Sequence, residues 1–168
     1  FIINIKPDHI INAAAYTAVD MAEKESDLAF KINSEAPYFM TIASEKIDSK
    51  LIHISTDFVF DGNKNTPYKT KDFVNPIGIY GKSKAKGEQY VLQSDKAKTI
   101  RTSWLYGNIG ENFCMTMLRL HKERSESGNP ICVVEDQISS PTSTYSLSKV
   151  CWKLLTTSLN FKTIPPLL

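Results

Sequence analysis

The chain has 168 residues, 42% hydrophobic and 23% charged, and its 20 basic and 18 acidic side chains leave a formal net charge of +2. Such values fit one globular domain that buries about two-thirds of its unfolded surface, and they argue against disorder. Charges of both signs are interspersed, with no basic block for nucleic acid or an acidic membrane. Cys114, Cys132 and Cys151 are odd in number, far apart and without a C-x-x-C pair. A disulfide framework or zinc site is therefore not expected, and a reducing cytoplasm suits the chain best. No apolar run reaches the roughly 18 residues that cross a bilayer, and no secretory signal leads the sequence. Phe1 stands almost directly before a strand, and Ile164-Pro165-Pro166-Leu167-Leu168 ends without a clear terminal element. The expectation is a fragment of a longer protein.

The run from His9 to Ala15 is short, apolar and bounded by Lys6-Pro7-Asp8, which reads as a buried strand. Ala, Glu, Met and Lys dominate from Asp20 to Lys46, a helical composition, and Pro37 is expected to start a second helix there. Lys50 to Ser55 is another near-continuous apolar strand. Strands of this kind, separated by helices, point to a parallel sheet covered on both faces. From Asp57 to Pro76 the turn signals Asp61-Gly62-Asn63, Thr66-Pro67 and Asn75-Pro76 mark a long loop, and loops of that length are usually functional. A helix is expected from Tyr80 to Gln93, a strand from Thr99 to Ser103 and a helix from Asn112 to Lys122. An extended Ile131–Val134 and a helix from Tyr145 to Leu155 follow.

Tyr80 and Lys84 lie four residues apart at a helix start, hence on one face. A tyrosine titrates near ~10, and a neighbouring ammonium is expected to favour its phenolate. A phenol so placed suits carbonyl reduction, in which carbon receives hydride and the oxygen receives a proton. Alone, Y-x-x-x-K also describes many surface Tyr–Lys pairs. Ser55-Thr56-Asp57 adds context, since it ends an apolar strand where open parallel sheets bind ligands. The Thr56 hydroxyl could orient the same carbonyl, or simply close the strand end with a local hydrogen bond. His9 and His53 fall in strands and read as structural, and His121 reads as solvated. Asp136 has no partner at ligand spacing, so no metal is expected.

The stretch Ile54-Ser55-Thr56-Asp57-Phe58-Val59-Phe60-Asp61-Gly62, with Pro67-Tyr68, Asn75-Pro76, Tyr80-Gly81-Lys82-Ser83-Lys84 and Gly87-Glu88, closely resembles the dTDP-4-dehydrorhamnose reductase family. So do Asn12 to Asp20 with Ala22-Glu23 upstream, and Arg101 to Gly107, Asp136-Gln137 and Ser140-Pro141-Thr142 downstream. This family belongs to the extended short-chain dehydrogenases. The resemblance implies a partial Rossmann-type, doubly wound α/β parallel sheet with part of a smaller substrate-binding domain. Residues 1–106 would form an incomplete dinucleotide-binding domain and 107–129 a substrate-domain segment. Residues 130–157 would return to the Rossmann domain, and 158–168 would begin a truncated substrate segment.

The implied function is reduction of the C4 ketone of dTDP-4-dehydro-L-rhamnose with NADPH or NADH, giving dTDP-L-rhamnose for surface polysaccharides in the cytoplasm. Thr56, Tyr80 and Lys84 would be catalytic: Thr56 orients the carbonyl, Tyr80 donates the proton, and Lys84 binds the nicotinamide ribose and biases Tyr80. Ala13, Ala15, Tyr16 and Thr17, with Tyr80 and Lys84, would border the cofactor, and Thr56, Asp57 and Trp104 would touch the sugar nucleotide, although Trp104 also suits plain packing. The implied partners are a dTDP-sugar and a second copy in a homodimer, with no nucleic acid or membrane. The chain departs from the family in lacking the G-x-x-G-x-x-G fingerprint, so weak or absent cofactor binding is expected of it alone. Phe58 stands where many relatives carry Tyr, and Ser139 where Gly is usual. Other nucleotide-sugar reductases or epimerases, a non-catalytic regulatory subunit and an inactive fragment remain as alternatives.

Overall fold

The computed structural model describes residues 1–125, 128–158 and 160–167. Glu126 and Ser127, in the expected substrate-domain segment, and Leu159 and Leu168, in the expected C-terminal segment, lie outside the described residues. The chain divides into two compact units, residues 1–101 with 153–168, and residues 102–152.

The first unit is built on a three-stranded sheet. A short helix, α1 (Ile2–Ile5), precedes β1 (His9–Asn12), which pairs in parallel with β2 (Lys50–Thr56) in the register His9↔Lys50 to Asn12↔His53. β3 (Ala97–Thr102) lies on the other side of β2, giving the order β1-β2-β3. Every β2 residue but Lys50 and Ile54 is buried, which is why its sequence is a continuous run and not an alternation. β1 is shorter than the expected strand: from Ala13 the backbone leaves the ladder.

The crossover from β1 to β2 contains α2 (Val19–Ala22), α3 (Ser26–Phe30), a π-helical segment (Lys31–Glu35) and α4 (Ala36–Lys46). Pro37 thus does not begin a separate helix; it sits in the first turn of α4, directly continuous with the π segment. The reason is local. A proline has no N–H for the carbonyl four residues back, here that of Asn33, and its ring crowds that oxygen. Widening the preceding turn relieves the conflict without ending the helix.

The return to β3 is made by α5 (Ile79–Val91), which packs beside α4 with the Tyr38 and Tyr90 rings 4.8 Å apart. Between helices and sheet, Leu51, Val91 and Ala97 are buried against Ile10 and Met40. Each large aliphatic removed from water there contributes about 1.5–3 kcal/mol. A second cluster of Val59, Phe60 and Ala85, with Tyr68 and Val74, fastens the loop after β2 to α5. The C-terminal stretch also joins this unit. The Lys50 ammonium donates to the Leu155 carbonyl (2.8 Å), Phe161 is buried beneath Lys50 and Lys98, and Thr99 N–H donates to the Pro166 carbonyl (2.9 Å).

The second unit holds β4 (Leu105–Tyr106) paired in parallel with β5 (Thr142–Ser143), the helix α6 (Phe113–Ser125) and most of α7 (Thr144–Thr156). Asn112 starts α6: its side-chain oxygen accepts from Met115 N–H (3.1 Å) and its amide donates to the Gly107 carbonyl (2.9 Å). Ile131–Val134, expected to be extended, joins no strand ladder. Among the described residues no helix is long and apolar enough to cross a membrane.

Candidate active site

At the carboxyl end of β2, Thr56 caps a 3-10 turn, Asp57–Val59. Its hydroxyl accepts from Phe58 N–H (3.2 Å) and donates to the Asp57 carboxylate (3.2 Å). The Tyr80 phenol, from the first turn of α5, lies close enough to Thr56 and Asp57 for both to act on its titration. Its ring meets Phe58 edge-on at 5.5 Å. That close seating needs Gly81, because a Cβ there would lie 2.2 Å from the Phe58 carbonyl oxygen. One turn along, Lys84 is 2% exposed and its ammonium donates to the Ile54 carbonyl at 2.6 Å. Thr56, Asp57, Tyr80 and Lys84 therefore come together from β2 and α5.

The Tyr80 phenol is raised above the ordinary tyrosine value, mainly by burial, with the Asp57 charge adding and the Thr56 hydrogen bond opposing. Lys84, expected to bias it toward the phenolate, is not among the groups that shift it. The Lys84 ammonium is directed at the Ile54 carbonyl. Lys84 itself is pulled down to about 8 by burial, with Glu88 opposing. Behind it lies His53, fully buried. The Asn12 amide oxygen accepts from Ala14 N–H (3.2 Å), so its nitrogen donates to His53 Nδ1 (3.0 Å), placing the imidazole proton on Nε2. Burial, and then the Lys84 charge, hold this histidine down to about 3, neutral as a structural residue should be.

Ala13, Ala15, Tyr16 and Thr17 follow β1 as an open edge in which Ala15 and Tyr16 are half-buried and Ala13 and Thr17 exposed. A residue that the sequence did not single out, Asn33, fixes this edge. Its Oδ1 accepts from Tyr16 N–H (2.8 Å), while Nδ2 donates to the Tyr16 carbonyl (3.1 Å) and to Ser83 Oγ on α5 (3.0 Å). The π segment brings Asn33 against α5 so closely that a Cβ at Gly87 would lie 2.1 Å from its carbonyl oxygen. The Tyr16 hydroxyl donates to Glu25 (2.7 Å), which raises the phenol above its ordinary value.

The long loop is ordered by Asp61. Its carboxylate accepts from Tyr68 hydroxyl (2.9 Å), Asn75 amide (3.1 Å) and Asn63 N–H (3.1 Å), and these bonds, Asn75 foremost, hold it down to about 2. Tyr68 stacks on Phe60 at 4.1 Å, and the Arg101 guanidinium covers the Phe60 ring at 4.8 Å. Arg101 is itself held by a two-pronged ion pair with Glu88 of α5, at 2.9 and 2.6 Å. Trp104 belongs to the second unit, where it tilts against Phe113 at 5.2 Å with a backbone φ of 45°. A bulky residue in that left-handed region is uncommon, and such strain tends to gather at functional positions. In the same unit Ser139 Oγ lies 2.6 Å from Ser103 Oγ.

A parallel α/β sheet with hydroxyl, phenol and ammonium gathered beyond the carboxyl end of its central strand is a Rossmann-type arrangement, whose ligands bind at that end of the sheet. Residues 1–164 match the family model described as the RmlD substrate binding domain, and the chain belongs to that family. It is 45% identical over 148 residues to the dTDP-4-dehydrorhamnose reductase of Aggregatibacter actinomycetemcomitans, covering 88% of this chain and 49% of that protein. Its identity to the spore coat polysaccharide biosynthesis protein SpsK of Bacillus subtilis is also 45%, covering 89% of this chain and 52% of that one. The crystal structure of dTDP-4-dehydrorhamnose reductase from Bacillus anthracis in complex with NADP superposes with a TM-score of 0.86. There the identity is 47%, covering 94% of this chain and 55% of that structure. The chain spans about half the length of the curated relatives it matches.

Proposed function

We propose that the protein reduces the C4 ketone of dTDP-4-dehydro-L-rhamnose to the alcohol of dTDP-L-rhamnose, using NADPH or NADH in the cytoplasm, and that this chain carries its acid–base residues. The single observation behind this reading is the gathering of Thr56 at the carboxyl end of β2, the Tyr80 phenol in the first turn of α5 and Lys84 buried one helical turn away. Tyr80 gives its proton to the ketone oxygen as the carbon becomes tetrahedral. Burial keeps the phenol protonated at neutral pH, the form a donor needs. The Thr56 hydroxyl orients the carbonyl, and Asp57 and Trp104 contact the sugar nucleotide. In this reading residues 1–106 and 130–157 serve the dinucleotide, and 107–129 and the stretch from 158 the substrate, a division by role that crosses the two compact units.

The site residues fit the ribose and nicotinamide end of a dinucleotide. Ala13 and Ala15 leave the backbone beyond β1 open, Asn33 holds that edge in place, and the Lys84 ammonium could donate to ribose hydroxyls. When bound, the nicotinamide supplies the hydride. The test follows NADPH oxidation by absorbance in the full-length protein with dTDP-4-dehydro-L-rhamnose. Tyr80→Phe should lower kcat by about 10²–10⁴-fold, the usual contribution of a positioned general acid. No turnover by a folded wild type that binds NADPH rejects the assignment.

A further inference from the structure

The helix that presents Tyr80 begins without a cap of its own. Its N-cap is Gly78, which has no side chain to accept from the first-turn N–H groups, and helix starts leave those groups without partners. The acceptor comes from far away in sequence: Glu23 Oε1, just after α2, accepts from Ile79 N–H at 2.7 Å. A carboxylate there also lies at the positive end of the helix. Gly78 makes room for it, since a Cβ at that position would lie 2.9 Å from the same Oε1. Tyr80 is the very next residue after Ile79, and its half-buried ring must meet Thr56.

We propose that Glu23 is a positioning residue for Tyr80, holding the first N–H of α5 so that the phenol stays on Thr56. The inference rests on the reading of Tyr80 as proton donor. The rest of α5 is anchored independently by buried Gly81, Ser83, Lys84, Ala85, Gly87, Glu88 and Val91. Losing Glu23 therefore frees the first turn without unfolding the helix. Small misplacements of a reacting group cost rate steeply.

The experiment uses the full-length protein, with kcat, KM and hydrogen exchange at residues 79–80 measured on each variant. Glu23→Ala should lower kcat about tenfold with KM for the nucleotide sugar within about twofold, and should speed exchange at Ile79. Glu23→Gln, which keeps an acceptor oxygen, should restore kcat to within about threefold of wild type. Gly78→Ala should act in the same direction and add little to Glu23→Ala, because both disturb one contact. A Glu23→Ala protein with unchanged kcat, beside an inactive Tyr80→Phe, overturns the inference and leaves the proposed function standing. If the wild type itself has no activity on this sugar, the function fails instead. Exchange then decides the positioning: faster exchange at Ile79 in Glu23→Ala supports the clamp, and unchanged exchange overturns it.

Discussion

α5 and α6 are both 13 residues long, yet α5 buries seven residues and α6 buries none. The difference lies in what each helix meets. α5 is seated by backbone approaches at Gly81 and Gly87, by Asn33, and by the Glu88–Arg101 pair. Phe113, Met115 and Leu118 of α6 are exposed. A helix with polar and steric contacts on several sides can hold a phenol to within a fraction of an ångström, and length or composition would not have told the two apart.

Arg101→Ala is the most severe way to break α5's advantage. It leaves Glu88 buried and unpaired, which should cost about 3–5 kcal/mol in denaturant unfolding. Acid should act next, through His53. Its folded value, about 3, is depressed below the ordinary histidine value, so the unfolded state binds the proton first. Stability should fall as pH drops from about 6.5 toward 3, by up to about 1.4 kcal/mol per pH unit from this group. His53→Gln should flatten that window in melts recorded across pH. Asn33→Ala should cost about 1–3 kcal/mol, since the Tyr16 backbone and Ser83 lose their partner, and proteolysis or hydrogen exchange should show loosening at residues 13–17. Leu118→Ser on α6 should shift stability by less than about 0.5 kcal/mol. A large loss there would mean that the α6 face is covered and would erase the contrast.

β2 could be read from sequence because burial on both faces leaves a continuous apolar run, and the Tyr80–Lys84 pair because four residues make one helical turn. What those periods cannot carry is depth. The direction of the Tyr80 shift depends on how far the ring is buried and where the Lys84 ammonium points, and neither is encoded in a four-residue spacing. Asn33 gave no signal at all, being one polar residue in a helical stretch whose partners lie 17 and 50 positions away. Pro37 did give a signal, but a break and a widened turn look alike in sequence. Ile131–Val134 has strand chemistry without a strand beside it, and pairing is never a local property.

The widened turn at Lys31–Glu35 has a further consequence, for the length of the chain. A π turn is in effect one surplus residue in a helix. Deleting a single residue there would let ordinary α-helical bonding resume and would turn the residues within the widened turn, Asn33 among them, by up to about 100°. Asn33 would then face away from Tyr16 or from Ser83. Substitutions at the exposed positions of α3 and α4 should be tolerated, while a one-codon deletion between them should separate the edge after β1 from the helix bearing Tyr80.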